Sequence, residues 1–153
     1  MQNVVLNFAL FLLLLMVLIG CQSLRPANLG THDGKLAPCP SSPNCVSSQS
    51  TDDAHRIAPL TYSGRAADAM KKLTAIIQAF PRTSVITVSD SYLHAEVTSA
   101  IFRFVDDLEF LVDDAAKVIH VRSASRMGYS DLGMNRKRVE QIRLRWLETH
   151  SAP

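Results

Sequence analysis

The chain has 153 residues, enough for one domain and scarcely for two. Its formal net charge is +2 at neutral pH, a balance that gives no general pull toward nucleic acid or membrane lipid. The apolar share of 47% is inflated by the first twenty residues, and every charged side chain follows Cys21.

Val4 to Ile19 holds one polar residue, Asn7, and the apolar run from Phe8 to Ile19 is unbroken. That run suits the hydrophobic region of a secretory signal better than a spanning helix, which takes about 20 apolar residues. Gly20 supplies the small residue a cleavage site requires. The string Leu18-Ile19-Gly20-Cys21 resembles a bacterial lipobox. The resemblance implies a signal peptide over 1–20, cleavage before Cys21, and lipidation of that cysteine as the new N-terminus. Several acyl chains, at about 0.8 kcal/mol per buried methylene, anchor a protein where one does not. Gln22 rather than Asp at the next position implies the outer membrane, with the domain facing the periplasm. An uncleaved inner-membrane anchor is the alternative, favoured by the lack of Lys and Arg in "MQNVVLN". Either attachment puts the domain outside the cytoplasm.

Residues 21–35 are polar, with Pro26, Gly30 and Gly34, and read as a lipidated tether ahead of a globular domain over 36–150. With Cys21 committed to lipid, "CPSSPNC" leaves Cys39 and Cys45 as a pair, which an oxidising compartment turns into a disulfide. Two other readings stay open here: a metal site completed by His32 and His55, and a nucleophilic Cys45. The spacing between the cysteines is wider than zinc knuckles use, and no His stands at a recognisable distance from Cys45.

"SGRAADAMKKLTAIIQAFP" predicts a helix. Ala66, Ala69, Met70, Leu73, Ile76, Ile77 and Phe80 share one face, Ser63 offers a cap and Pro81 a stop. A short strand near Ile57–Tyr62 precedes it. "TSVITV" follows as a strand, and "YLHAEV" sets Leu93, Ala95 and Val97 against Tyr92, His94 and Glu96. "IFRFV", "LEFLV" and "KVIHVR" continue the extended pattern, with Asp106-Asp107 and "DDAA" as breaks. "MNRKRVEQIRLRWLETH" returns to helical period with Val139, Ile142, Trp146 and Leu147 inward. The fold class expected is α+β: a single domain with an antiparallel sheet of about four to five strands and two helices packed on one face.

Between the last strand and the last helix, Arg122, Ser123, Ser125, Arg126, Asp131, Asn135, Arg136, Lys137 and Arg138 crowd together. Three of these cations begin a helix, where the macrodipole disfavours positive charge, so anions are expected nearby. The acidic run Asp106–Asp114 could supply them internally, as an ion-pair network. Alternatively, an external anion could sit between the arginine forks, with Arg122, Ser123, Ser125, Arg126, Asp131, Asn135, Arg136 and Arg138 as its binding residues. Arg122, on a strand, suits the network; Arg136 and Arg138, at the helix start, suit the open site. Ser123 and Ser125 lack a nucleophile elbow, and His94 and His120 stand alone on strands. Asp106, Asp107 and Glu109 could serve as paired carboxylates, but at a strand break they read rather as a turn with solvated acids. No phosphate loop is present, and neither metal nor cofactor is called for.

The strings "LAPCPSSPNCVSSQ", "FRFVDDLEF" and "RSASRMGYSDLGMNRKRVEQIR" together resemble the domain of unknown function 1499 family, over about Gly34 to Arg143. Its members include bacterial membrane-attached or exported proteins. The resemblance carries no activity; it marks Cys39, Pro40, Pro43, Asn44, Cys45, Asp106, Asp107, Glu109, Arg122, Ser123, Ser125, Arg126, Asp131, Asn135, Arg136 and Glu140 as characteristic positions. A membrane-anchored envelope lipoprotein binding an anionic ligand or a partner protein is the expectation. The alternative is an enzyme using the Arg/Asp/Ser constellation between Arg122 and Glu140.

Overall fold

The computed structural model describes residues 24–149. Within them the order is β1 (Thr31–His32), β2 (Lys35–Leu36), β3 (Cys45–Ser47), β4 (Leu60–Thr61), α1 (Ala66–Gln78), β5 (Thr83–Val88), β6 (Tyr92–Thr98), β7 (Val105–Asp113), β8 (Val118–Ser125) and α2 (Met134–Glu148). β1 and β2 form a small hairpin. The main sheet runs β3-β8-β7-β6-β5, with β4 also paired to β8, and every pairing between these strands is antiparallel. The fold is α+β, as expected, with six strands in the main sheet rather than four to five. No helix among the described residues is long and apolar enough to cross a membrane.

Alternation in the strands decides which face is covered. Leu93, Ala95 and Val97 on β6, Leu108 and Phe110 on β7, and Ile119 and Val121 on β8 point one way. Ala69, Met70, Leu73, Ile76 and Ile77 of α1 and Val139, Ile142 and Trp146 of α2 close over them as one core. Leu147, expected inward, is exposed; one residue past Trp146, it is turned off the buried stripe.

Three expectations need correction. The turn between β6 and β7 takes in Ile101 to Phe104, so "IFRF" is not strand, and Arg103 adopts a left-handed φ of 58° there. Asp106 and Asp107 lie inside β7 instead of breaking it, because each carboxylate has a cationic partner. Ser63 does not cap α1: the N-cap is Arg65, with no side-chain bond to the helix amides. Within the segment read as a tether, Arg25 and Gly30 bond Glu96 and Glu109 on the face of the sheet away from the helices.

Candidate functional site

That second face carries the ionisable residues. The alternation that buries Leu93 and Ala95 turns Tyr92, His94 and Glu96 outward on β6, beside Asp107 and Glu109 of β7 and Arg122 of β8. The N-terminal segment lies over them, and Asp107, Glu109, His94 and Arg122 are all buried. Ions taken out of water this way persist only when paired and hydrogen-bonded.

They are. Arg126 forks onto Asp107, with Nε 2.8 Å from Oδ2 and a terminal nitrogen 2.7 Å from Oδ1, and the same nitrogen reaches Glu96 at 2.5 Å. His94 Nε2 lies 2.8 Å from Asp107 Oδ1. Burial pushes the Asp107 carboxyl up, but the hydrogen bonds to Arg126 and His94 outweigh it and hold it below the usual range. Glu96 behaves alike: burial raises it, and Arg126 and Arg25 together bring it below normal. Glu109 accepts from Arg122 at 3.0 Å, the Tyr92 hydroxyl at 2.8 Å and the Gly30 amide at 2.9 Å. Burial, then the Glu109 charge, pushes the Tyr92 phenol above its ordinary range. Three arginines (Arg25, Arg122, Arg126) thus meet three carboxylates (Glu96, Asp107, Glu109) in one layer. Among the described residues Arg122 Nε is buried with no partner, a cost of about 1–3 kcal/mol that the Glu109 pair must outweigh.

A second cluster forms on the helical side, where α2 meets β8. Asn135, fully buried, accepts from Ser123 Oγ at 2.6 Å and Arg138 at 2.5 Å, and donates to the Asn44 carbonyl and Ser125 Oγ, both at 2.9 Å. All four hydrogen-bonding positions of its amide are used. Arg138 continues to Asp106 at 2.5 Å. Asp131 takes the amides of Gly133 and Asn135, placing negative charge at the helix's positive end. The Cys39–Cys45 disulfide, with Cα atoms 5.6 Å apart, fixes the strand that presents Asn44; the Asn44 side chain donates to the Gly128 carbonyl at 2.6 Å.

The residues expected to grip an external anion are therefore brought together in two layers, one on each face of the sheet, where Arg122, Arg126 and Arg138 each pair with a carboxylate of the chain. Arg122 and Arg126 belong to the outer layer; Ser123, Ser125, Asp131, Asn135 and Arg138 belong to the inner one. Arg138, expected to be open, is buried on Asp106. Arg136 donates to the carbonyls of Ala54 and Arg56, clamping the irregular lead-in. Of the cations at the helix start, Arg138 meets an anion from the chain itself, whereas Arg136 is held by neutral carbonyls.

Sequence reasoning missed Arg25, Tyr92, His94 and Glu96 as members of the layer. The period-two reading of "YLHAEV" already put the last three on one face, and that was the available signal. His94, Glu96 and Asp107 present ligand atoms within 4.8 Å of one another, an arrangement fit for a cation; the guanidinium of Arg126 fills that role. His55 bonds Asp52 and the Ser42 carbonyl, and the sulfurs it was to join in a metal site are bonded to each other. Ser48 Oγ stands 3.2 Å from His120 Nδ1, with Asp113 4.0 Å beyond. The order is that of a triad, but the hydroxyl also accepts the Val121 amide at 2.9 Å and joins the strand extension to β8.

The profile described as "Protein of unknown function (DUF1499)" matches residues 35–145. The chain belongs to the DUF1499 family. No curated protein matches it. The matched span takes in both polar layers except Arg25 and Gly30, which lie ahead of it.

Proposed function

We propose that this DUF1499 protein is a lipoprotein of the bacterial envelope, held at the outer membrane through acylated Cys21, whose domain works by binding a partner rather than by catalysis. The observation that carries the binding reading is the pairing of the Arg/Asp/Ser constellation within the chain. Arg122, Arg126 and Arg138 each sit on a carboxylate, and Ser123, Ser125 and Asn135 bond one another. A catalytic base or nucleophile must be free to take a proton or attack, and these groups are spent on holding the sheet to its neighbours. An enzyme built on Arg122–Glu140 would first have to open this network. Attachment is supported by the lipobox-like string ending at Cys21, which lies outside the described residues, and by the Cys39–Cys45 bridge, a bond that persists in oxidising compartments. The partner is an envelope protein or an anionic molecule reaching the exposed cations at the rim.

Native mass spectrometry of the full chain, purified in mild detergent from its own membranes, tests this. The expected species begins at an acylated Cys21 and carries a non-covalent companion that leaves at higher collision energy. An intact Met1 would overturn the attachment, and a bare chain under every gentle condition would overturn the binding reading.

A further inference from the structure

One end of the sheet is apolar and uncovered. In the β6–β7 turn Ile101 is 82% exposed and Phe102 70%; in the loop leading to α2 Tyr129 is 76% exposed and Leu132 92%. Phe104 stacks on Phe102 with ring centroids 5.6 Å apart. The strand register puts both loops at the same end: Thr98 pairs with Val105, Asp106 pairs with Ser125, and the Arg126 amide donates to the Val105 carbonyl. Single exposed apolar side chains are ordinary, but a set gathered at one end marks a contact surface. Arg103 lies within the turn and Arg82 beside it; residues 99–105 contain no acid, and Asp131 of the other loop is engaged by the amides of Gly133 and Asn135.

The path of the chain indicates what lies against this end. Arg25 pairs with Glu96, two positions before β6 ends at Thr98, whereas Gly30 bonds Glu109, farther from the turn. The N-terminal segment therefore enters at the apolar end and runs inward. Cys21 precedes Arg25 by four residues, a span of roughly 14 Å at full extension. Headgroups occupy about 5–8 Å on each side of the hydrocarbon. A leash so short, attached at that end, leaves the turn within reach of the headgroup layer.

We infer that the end formed by Ile101, Phe102, Phe104, Tyr129 and Leu132 is a membrane-docking tip that inserts into the interface of the bilayer holding the anchor, with Arg82 and Arg103 at lipid phosphates. This rests on the reading of Cys21 as acylated. Aromatic rings favour the interface, where an apolar body meets a wet boundary. Arginine can keep its charge among the phosphates while its stem covers apolar surface. The tip thereby fixes the orientation of the domain, which lipid chains alone would not do.

The test places a fluorophore at the tip of the full, acylated chain. Trp146 is the one native tryptophan and is buried, so it is a constant background. Phe102→Trp and, in a separate protein, Val88→Trp, at the end of β5 that pairs with the start of β6 away from the turn, are reconstituted into phosphatidylethanolamine–phosphatidylglycerol vesicles with brominated acyl chains. The Phe102→Trp signal is expected to shift blue and lose most of its added emission, and the Val88→Trp signal to keep its own. Ile101→Trp repeats the measurement should Phe102→Trp fold poorly. A chain that floats with the vesicles while Phe102→Trp and Ile101→Trp stay unquenched overturns the docking tip, and capture of another protein by that end would then name its occupant. A chain that keeps Met1 and does not float overturns the anchor reading, and the tip with it.

Discussion

Asp107 shows how the chain tolerates an ion inside a sheet. Its carboxylate receives a two-pronged arginine and a histidine, and its neighbour Glu96 shares the same guanidinium. Both groups hold their protons less tightly folded than unfolded, so each adds stability above the ordinary carboxylate range. That contribution drains away as pH falls through the lowered values. Stability should therefore dip slightly below about pH 6.5, where burial holds the His120 imidazole below its ordinary value and opposes its protonation, and fall steeply below about pH 4 as these two carboxylates take up protons. Urea midpoints across that range check it. Asp107→Asn, already weakened at neutral pH, should lose much less on acidification than the parent. A parent whose midpoint does not move below pH 4 would contradict the assignment.

At the level of elements, the parts with a period were legible and the parts with a partner were not. The α1 stripe from Ala66 to Phe80 and the β6 alternation appear as read, because apolar spacing alone sets which side is buried. Asp106-Asp107 looked like a break since two adjacent acids lower strand propensity locally; Arg138 and Arg126, far along the chain, reverse that by ion pairing from opposite faces. Residues 21–35 read as a tether because the bonds of Arg25 and Gly30 are made to Glu96 and Glu109, neither of which shows in local composition. The Cys39–Cys45 bridge, in contrast, followed from counting cysteines. It closes a short loop, so replacing both cysteines by serine should cost about 2 kcal/mol and leave the fold intact. Thiol labelling of denatured, unreduced protein should find neither residue reactive, and two reactive thiols there would rule the bridge out.

For the molecule as a whole, two polar layers sandwich the sheet and stitch the N-terminal segment and α2 onto it. Arg122, Arg126 and Arg138, which suggested a binding site, are thus paired with the chain's own carboxylates, while the apolar end stays exposed. If the arginines serve the fold, removing one strands a buried carboxylate, at a typical cost of about 3–5 kcal/mol. If they await an anion, removing one relieves crowding, and added anion stabilises the parent by mass action. Thermal melts of the parent and of Arg126→Ala, with and without phosphate, separate the two most directly. The account predicts that Arg126→Ala melts roughly 10 °C or more below the parent and that phosphate moves neither curve. A parent stabilised by phosphate, with Arg126→Ala melting at or above it and deaf to the anion, would contradict it.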